Sequence, residues 1–340
     1  MNENQYIWSQ NHLNKVSRTF ALSLKELPSV HEKQMTVAYL LCRVPDTIED
    51  TDKISPPEKQ NLLADYTEIF SANVTPTEFI QNVKQTVPNI DTENADWNLV
   101  LETDTLITVF NTFSEAEQKV MSKWVIELTD GMSDFVSKHT QSEGVRIQTI
   151  DELDTYCYFV AGTVGHMIID LLDIAYDIPF KDHSYEEVHE LAEEYGLMLQ
   201  YINITKDVYD DYYSEDNIYI PNELITGMSQ IEFITEEHNK TSDVIHQVNQ
   251  RTREYLESSE QFLEWIQNNH SDSYRGWAIP HFLAVATLRE LDRQAELAVE
   301  PAEVKIDRSE VQEILEKIGT VEIQELRTQL LKNNLEKTNV

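Results

Sequence analysis

The sequence predicts an all-α protein, and three observations carry that expectation. Only 8 Gly and 10 Pro occur in 340 residues, too little turn chemistry for the many reversals of an all-β fold. Apolar residues recur at helical spacing, as in Val120, Trp124, Val125, Leu128, Met132, Phe135 and Val136. Acids fall at helical intervals too, beside apolar runs: Asp46, Glu49 and Asp50 at i, i+3 and i+4, then Asn203, Asp207, Asp210 and Asp211 at i, i+4, i+7 and i+8.

Taken in order, residues 6–27 read as an amphipathic segment stopped at Leu27-Pro28. Residues 30–50 form the next helix, in which Pro45 predicts a bend or a local irregularity before Asp46. Helices over 58–73 and 93–113 flank a polar connection, 74–92, that contains Thr and Pro. Residues 115–140 are helical until Gly144 breaks the pattern, and Asp151 is expected to cap an apolar helix over 152–176. Asp182 or Ser184 starts a helix over 184–211, which Ser214 to Asn217 follows as a polar loop. Residues 229–297 read as two or three helices. Residues 298–340 lack aromatics and read as a peripheral helical tail, so the expected division is 1–297 and 298–340.

The balance of 61 acids against 26 bases, net charge −35, excludes nucleic acid as the expected partner, since phosphate contacts need clustered Lys and Arg. It equally disfavours an anionic membrane surface. The charge reads as solubility in high salt, as in a halophilic archaeon, with an acidic protein of ordinary habitat as the alternative. Cys42 and Cys157 lie in apolar stretches and read as buried thiols, consistent with a reducing cytoplasm. The residues after Met1 lack a basic and apolar leader. The longest apolar stretch, Tyr156 to Ile169, falls short of the roughly 20 residues of a spanning helix.

Three acids stacked on a buried helix repel and lose hydration unless a cation compensates them. Two such faces suggest two walls of one magnesium–diphosphate site, because Mg²⁺ takes carboxylate oxygens and diphosphate completes its shell. The alternative is a pair of solvated acidic faces. Tyr156, Tyr158 and Phe159 share an apolar helix with Gly162 and Gly165. Those glycines fit either a prenyl chain passing close by or tight helix packing. Aromatic faces stabilise carbocations and a tyrosine hydroxyl can guide proton removal. Arg18, Arg43 and Lys206 stand beside these segments and fit either diphosphate oxygens or salt bridges to the acids.

The chain resembles the squalene and phytoene synthase family from about Tyr6 to Ala295. The blocks that carry the resemblance are Ser17-Arg18-Thr19-Phe20, Tyr39 to Arg43 into Asp46-Thr47-Ile48-Glu49-Asp50, Gly131 to Phe135, Tyr156-Cys157 with Val160 to Gly165, Gln200 with Asn203 to Asp211, and Tyr219-Ile220-Pro221. The first acidic motif and Ala278 to Leu288 are similar to the squalene synthase branch. The resemblance implies an isoprenoid synthase fold, one large helical bundle around a central cavity. It implies a farnesyltransferase that joins two farnesyl diphosphates through presqualene diphosphate, with NADPH then delivering hydride to give squalene. It further implies a monomer, with at most loose membrane association for product release. By position, Asp46, Asp50, Asp207 and Asp211 are expected to hold Mg²⁺, with Glu49 and Asp210 supporting. Arg18, Arg43, Lys206 and Asn203 are expected at the substrate diphosphates, and Asn203 also at the cofactor. Tyr156 matches a tyrosine that steers proton loss, and Tyr39 an aromatic close to the cation. Departures from the family pattern are Lys206 for arginine, Asp216-Asn217 for Gly-Arg, Phe159 for a polar residue, and Pro45 within the first motif.

Overall fold

The computed structural model describes residues 1–138, 144–178, 180, 182–236, 240–301 and 304–332, without the side chain of Arg18. The chain is all-α, as its sequence predicts. In order the helices are α1 (Glu3–Val16), α2 (Arg18–Leu24), α3 (Ser29–Asp50), α4 (Pro56–Phe70), α5 (Pro76–Thr86), α6 (Ala95–Leu101), α7 (Thr103–Phe110), α8 (Glu115–Ser137), α9 (Ile150–Cys157), α10 (Thr163–Tyr176), α11 (Tyr185–Glu215), α12 (Gln230–Thr235), α13 (Thr241–Glu254), α14 (Leu256–Asn269), α15 (Ser271–Arg293), α16 (Arg308–Lys317) and α17 (Ile323–Lys332). A π-helical turn, Tyr158–Gly162, joins α9 to α10. Among the described residues the only β pairing is two isolated bridges, Arg146 with Ile218 and Ile318 with Val321.

Several boundaries differ from expectation for identifiable reasons. Ser17 divides the first segment in two: its extended backbone ends α1, and its hydroxyl accepts from the Phe20 amide to start α2. The polar connection at 74–92 contains α5. Its Thr75 forms a capping box with Glu78, Pro76 is a first-turn proline, and Phe79, Ile80 and Val83 are buried. Thr149, not Asp151, caps α9 by accepting from the Glu152 amide. Ser184 caps α11, which continues through Glu215 where a loop was expected. Among the described residues, 229–297 hold four α-helices rather than two or three. α3 runs through Pro45 without interruption.

The core forms where α8 packs on α3, α4 and α10, and where α11 packs on α10, α13, α14 and α15. The continuous helical run Ile150–Tyr176 is the apolar axis of this core. At 27 residues, with a mean hydropathy of 1.4 in its most apolar window, it is long and apolar enough to cross a membrane; 56% of that window is buried in the protein. The helix extends beyond the apolar stretch Tyr156 to Ile169 at both ends, which makes it longer than that stretch alone suggests. Its glycines serve helix packing. A Cβ on Gly165 would stand 2.0 Å from the Ala192 carbonyl oxygen, and one on Gly196 would stand 2.4 Å from that of Ala161. The two backbones therefore touch, and this face has no room for a prenyl chain. Helices α16 and α17 lie against α15, with Ile314, Leu326 and Leu330 fully buried. Arg289 reaches the Glu310 carboxylate at 2.6 and 2.9 Å and the Leu330 carbonyl at 3.1 Å.

Candidate active site

The last two turns of α3 bring Asp46, Glu49 and Asp50 together, each offering a carboxylate oxygen within 4.8 Å of the others. Helical spacing puts them on one face, and that face turns inward because Val44, Thr47 and Ile48 around it are core residues. Glu49 is only 1% exposed. Burial, then the neighbouring Asp46, pushes its carboxyl up to about 8. Burial likewise raises Asp46, and raises Asp50 well above the carboxylate range, with Asp46 and Glu215 adding to the effect on Asp50. In each of them burial and like charge outweigh the cations nearby.

Each acidic face is partly neutralised by its own cation. On α3, Arg43 donates through one terminal nitrogen to Asp46 and through Nε to Asp96 on α6 at 2.8 Å. On α11, Lys206 Nζ lies 2.6 Å from the Asp207 carboxylate. Asp207 and Asp211 are half-buried, whereas Asn203 and Asp210 are exposed. Burial, then Glu215 and Asp207, raises the Asp211 carboxyl well above its usual range.

The two faces are close enough for their charges to interact, chiefly through Glu215 and Tyr219. Burial and then Asp46 raise Glu215 to about 7. Buried Tyr219 feels Glu49, Asp50 and Asp211 together. The Tyr156 hydroxyl lies 3.2 and 3.4 Å from the two Glu49 oxygens and 3.0 Å from the Tyr219 hydroxyl. Its one proton can go to Glu49 while Tyr219 donates to Tyr156. The two tyrosine rings stack at 4.7 Å, and Phe135 meets Tyr156 edge-on at 5.1 Å. Lys59 of α4 is buried beneath the cluster and donates to the Glu49 carbonyl; desolvation lowers its pKa. Tyr39, one turn before Arg43, sits 5.2 Å from Phe20 between ring centroids. Arg18 opens α2 nearby in sequence, and its side chain lies outside the described residues.

Thus Arg43, Asp46, Glu49, Asp50 and Tyr156 converge, Tyr39 adjoins them, and Asp207 and Asp211 stand on α11, whose Glu215 is near enough to raise Asp50 and to be raised by Asp46. Asp96, Lys59, Glu215 and Tyr219 also belong to this neighbourhood, though the sequence reading singled out none of them as acidic-site residues. Glu215 carried a usable signal, since it continues the four-residue series Asn203, Asp207, Asp211. At the position of the missing Gly-Arg pair, Asp216 adopts the left-handed conformation (φ 59°) and Asn217 is buried, its side-chain oxygen accepting from the Val145 amide at 2.8 Å. Arg146 arrives there from the neighbouring segment and binds Asp216 through its carboxylate at 2.5 Å and through its carbonyl.

The comparisons with known proteins bear on the fold and the family. A squalene synthase of Schizosaccharomyces pombe is 26% identical over 307 residues, covering 89% of this chain and 63% of that protein. The chain therefore spans less than two thirds of that relative's length. Among solved structures, a TcSQS complex with the ligand BPH1237 superposes with a TM-score of 0.80 at 22% identity, over 98% of this chain and 90% of that one. A dehydrosqualene synthase bound to a ligand gives a TM-score of 0.62 at 19% identity, over 94% and 96%. The family model described as squalene/phytoene synthase matches residues 13–310, and the chain belongs to that family.

Proposed function

We propose that this protein is a squalene synthase, joining two farnesyl diphosphates head to head through presqualene diphosphate and reducing that intermediate with NADPH. The observation that supports the reading is the cluster of Asp46, Glu49 and Asp50 on α3, whose charges reach α11 through Glu215; among the described residues the cations nearby are Arg43, Lys59 and Lys206. Hard, crowded, desolvated carboxylates suit Mg²⁺. Asp46, Asp50, Asp207 and Asp211 would hold the ions, with Glu49 and Asp210 supporting. Bound there, Mg²⁺ would offset the charge of a departing diphosphate, so that the allylic carbon–oxygen bond can ionise.

The chain's own residues have separate tasks. Arg43 is anchored by Asp96 through Nε, so a cation that takes Asp46 releases its other nitrogens toward diphosphate without freeing the side chain. Lys206 can turn from Asp207 in the same way, though as a point charge rather than a fork. Arg18 and Asn203 would complete the diphosphate contacts. Tyr156, fixed between Glu49 and Tyr219, would steer proton loss, and Tyr39 would present its ring to the cation. NADPH would supply the hydride of the second half-reaction, with Asn203 the residue assigned to it. Incubation with farnesyl diphosphate and Mg²⁺, with and without NADPH, followed by mass spectrometry, tests the reading: squalene should form only with NADPH.

One observation favours a second reading within the family. Lys206, Asp216 and Asn217 replace the arginine-bearing positions of the family pattern, and Arg146 is occupied by Asp216. An enzyme that stops at presqualene diphosphate, or releases dehydrosqualene or phytoene, would give the same product whether or not NADPH is present. A non-catalytic relative acting in binding or assembly would release no diphosphate at all.

A further inference from the structure

Pro45 stands inside α3 immediately before Asp46. Proline lacks an amide hydrogen, so the carbonyl four residues earlier, that of Leu41, loses its helical partner. Leu41 is fully buried, and a buried carbonyl without a donor is costly. The donor comes from another helix: the Tyr66 hydroxyl, in α4, donates to the Leu41 carbonyl at 2.8 Å. Tyr66 is fully buried. Phe70 meets its ring edge-on at 5.6 Å and Phe79 packs at 5.5 Å, so the hydroxyl has one place to be. A second α4 side chain acts at the far end of the acidic turn, where Lys59 donates to the Glu49 carbonyl. That carbonyl is among the last of α3, which the helix itself leaves without a donor. Lys59 and Tyr66 are two turns apart on one face of α4. Their two hydrogen bonds fall at Leu41, before Asp46, and at the Glu49 carbonyl, which leads directly into Asp50.

We propose that Tyr66 is a positioning residue for the acidic face of α3: its hydroxyl replaces the amide hydrogen that Pro45 lacks and, with Lys59, sets where the Asp46, Glu49 and Asp50 carboxylates stand. This deepens the metal reading above and rests on it. The test compares the unaltered protein with Tyr66→Phe, Pro45→Ala and the double variant, each cleared of metal and titrated with MgCl₂ by calorimetry and by thermal unfolding. Tyr66→Phe keeps the ring and removes the donor. It should lower the metal-free midpoint by roughly 2–6 °C and raise the half-saturating Mg²⁺ concentration about tenfold, as loosened ligand geometry does. Pro45→Ala restores the amide hydrogen. In the Tyr66→Phe background it should return both quantities toward the unaltered values, a rescue that mere filling of the core would not produce. A Tyr66→Phe protein with an unaltered Mg²⁺ titration, or a double variant no better than Tyr66→Phe, overturns the proposal while leaving the metal reading intact. An unaltered protein with no response to Mg²⁺ overturns both.

Discussion

Glu49→Gln should make the metal-free protein more stable, and should do so only toward neutral and alkaline pH. Glu49 is 1% exposed. Burial and the like charges of Asp46 and Glu215 outweigh Lys59 and the Tyr156 hydroxyl, lifting its carboxyl from 4.5 to about 8. A carboxyl whose folded pKa is raised contributes its full stability below the unfolded value. That contribution is lost as pH rises through the folded value. For Glu49 the window runs from 4.5 to about 8. At 1.36 kcal/mol per pKa unit the whole difference is an upper bound of roughly 5 kcal/mol; water entry and relaxation bring the realised cost to about 1–3 kcal/mol. Glutamine keeps the shape and still accepts from Tyr156, but carries no charge. In EDTA, thermal midpoints of the two proteins should nearly coincide at about pH 5, and Glu49→Gln should lead by roughly 2–8 °C at about pH 8. Saturating Mg²⁺ should shrink or reverse that lead, because the charge that destabilises the empty cluster attracts the ion. A Glu49→Gln protein destabilised equally at both pH values would refute the reasoning.

Asp46→Asn and Asp207→Asn should each lower Mg²⁺-dependent diphosphate release from farnesyl diphosphate by about 100-fold or more, with circular dichroism unchanged. Unchanged rates would exclude a metal role for these acids. Gly165→Ala places a Cβ 2.0 Å from the Ala192 carbonyl oxygen, so α10 and α11 must separate; denaturant unfolding should show a loss of about 1–3 kcal/mol, and a neutral result would contradict the close packing. Raising KCl from about 0.1 M to about 2 M should raise the thermal midpoint of a protein of net charge −35, since screening relieves its self-repulsion; a falling midpoint would contradict the high-salt reading.

The parts legible in the sequence are those written in local periodicity. The α3 and α11 helices could be placed because apolar runs and acids recur at helical intervals, and the grouping of Asp46, Glu49 and Asp50 follows from spacing alone. What the spacing could not reach is pairing across the fold. Asp96 meets Arg43, Tyr219 meets Tyr156, and Tyr66 meets Leu41; Asp96 and Tyr66 lie in stretches with no distinguishing pattern, and the Tyr219-Ile220-Pro221 block carries the resemblance without pointing to Tyr156. Two errors were of a different kind. The polarity of 74–92, with its Thr and Pro, suggests a connection, but Thr75 and Pro76 are also the residues of a capping box and a first-turn proline, which hid α5. Polar residues at 214–217 were read as a loop, which hid Glu215 as the next acid of the series. The glycines at 162 and 165 allowed two readings, and only the position of the α11 backbone separates them.

The most direct measurement is a crystal structure with Mn²⁺ in place of Mg²⁺ and a farnesyl thiodiphosphate that resists ionisation, with the metals placed by anomalous scattering. Peaks are expected between the α3 carboxylates of Asp46 and Asp50 and the α11 carboxylates of Asp207 and Asp211, with diphosphate oxygens beside them and Arg43 swung off Asp46 while still on Asp96. Diphosphate bound elsewhere, or both acidic faces free of metal at saturating Mn²⁺, would contradict it.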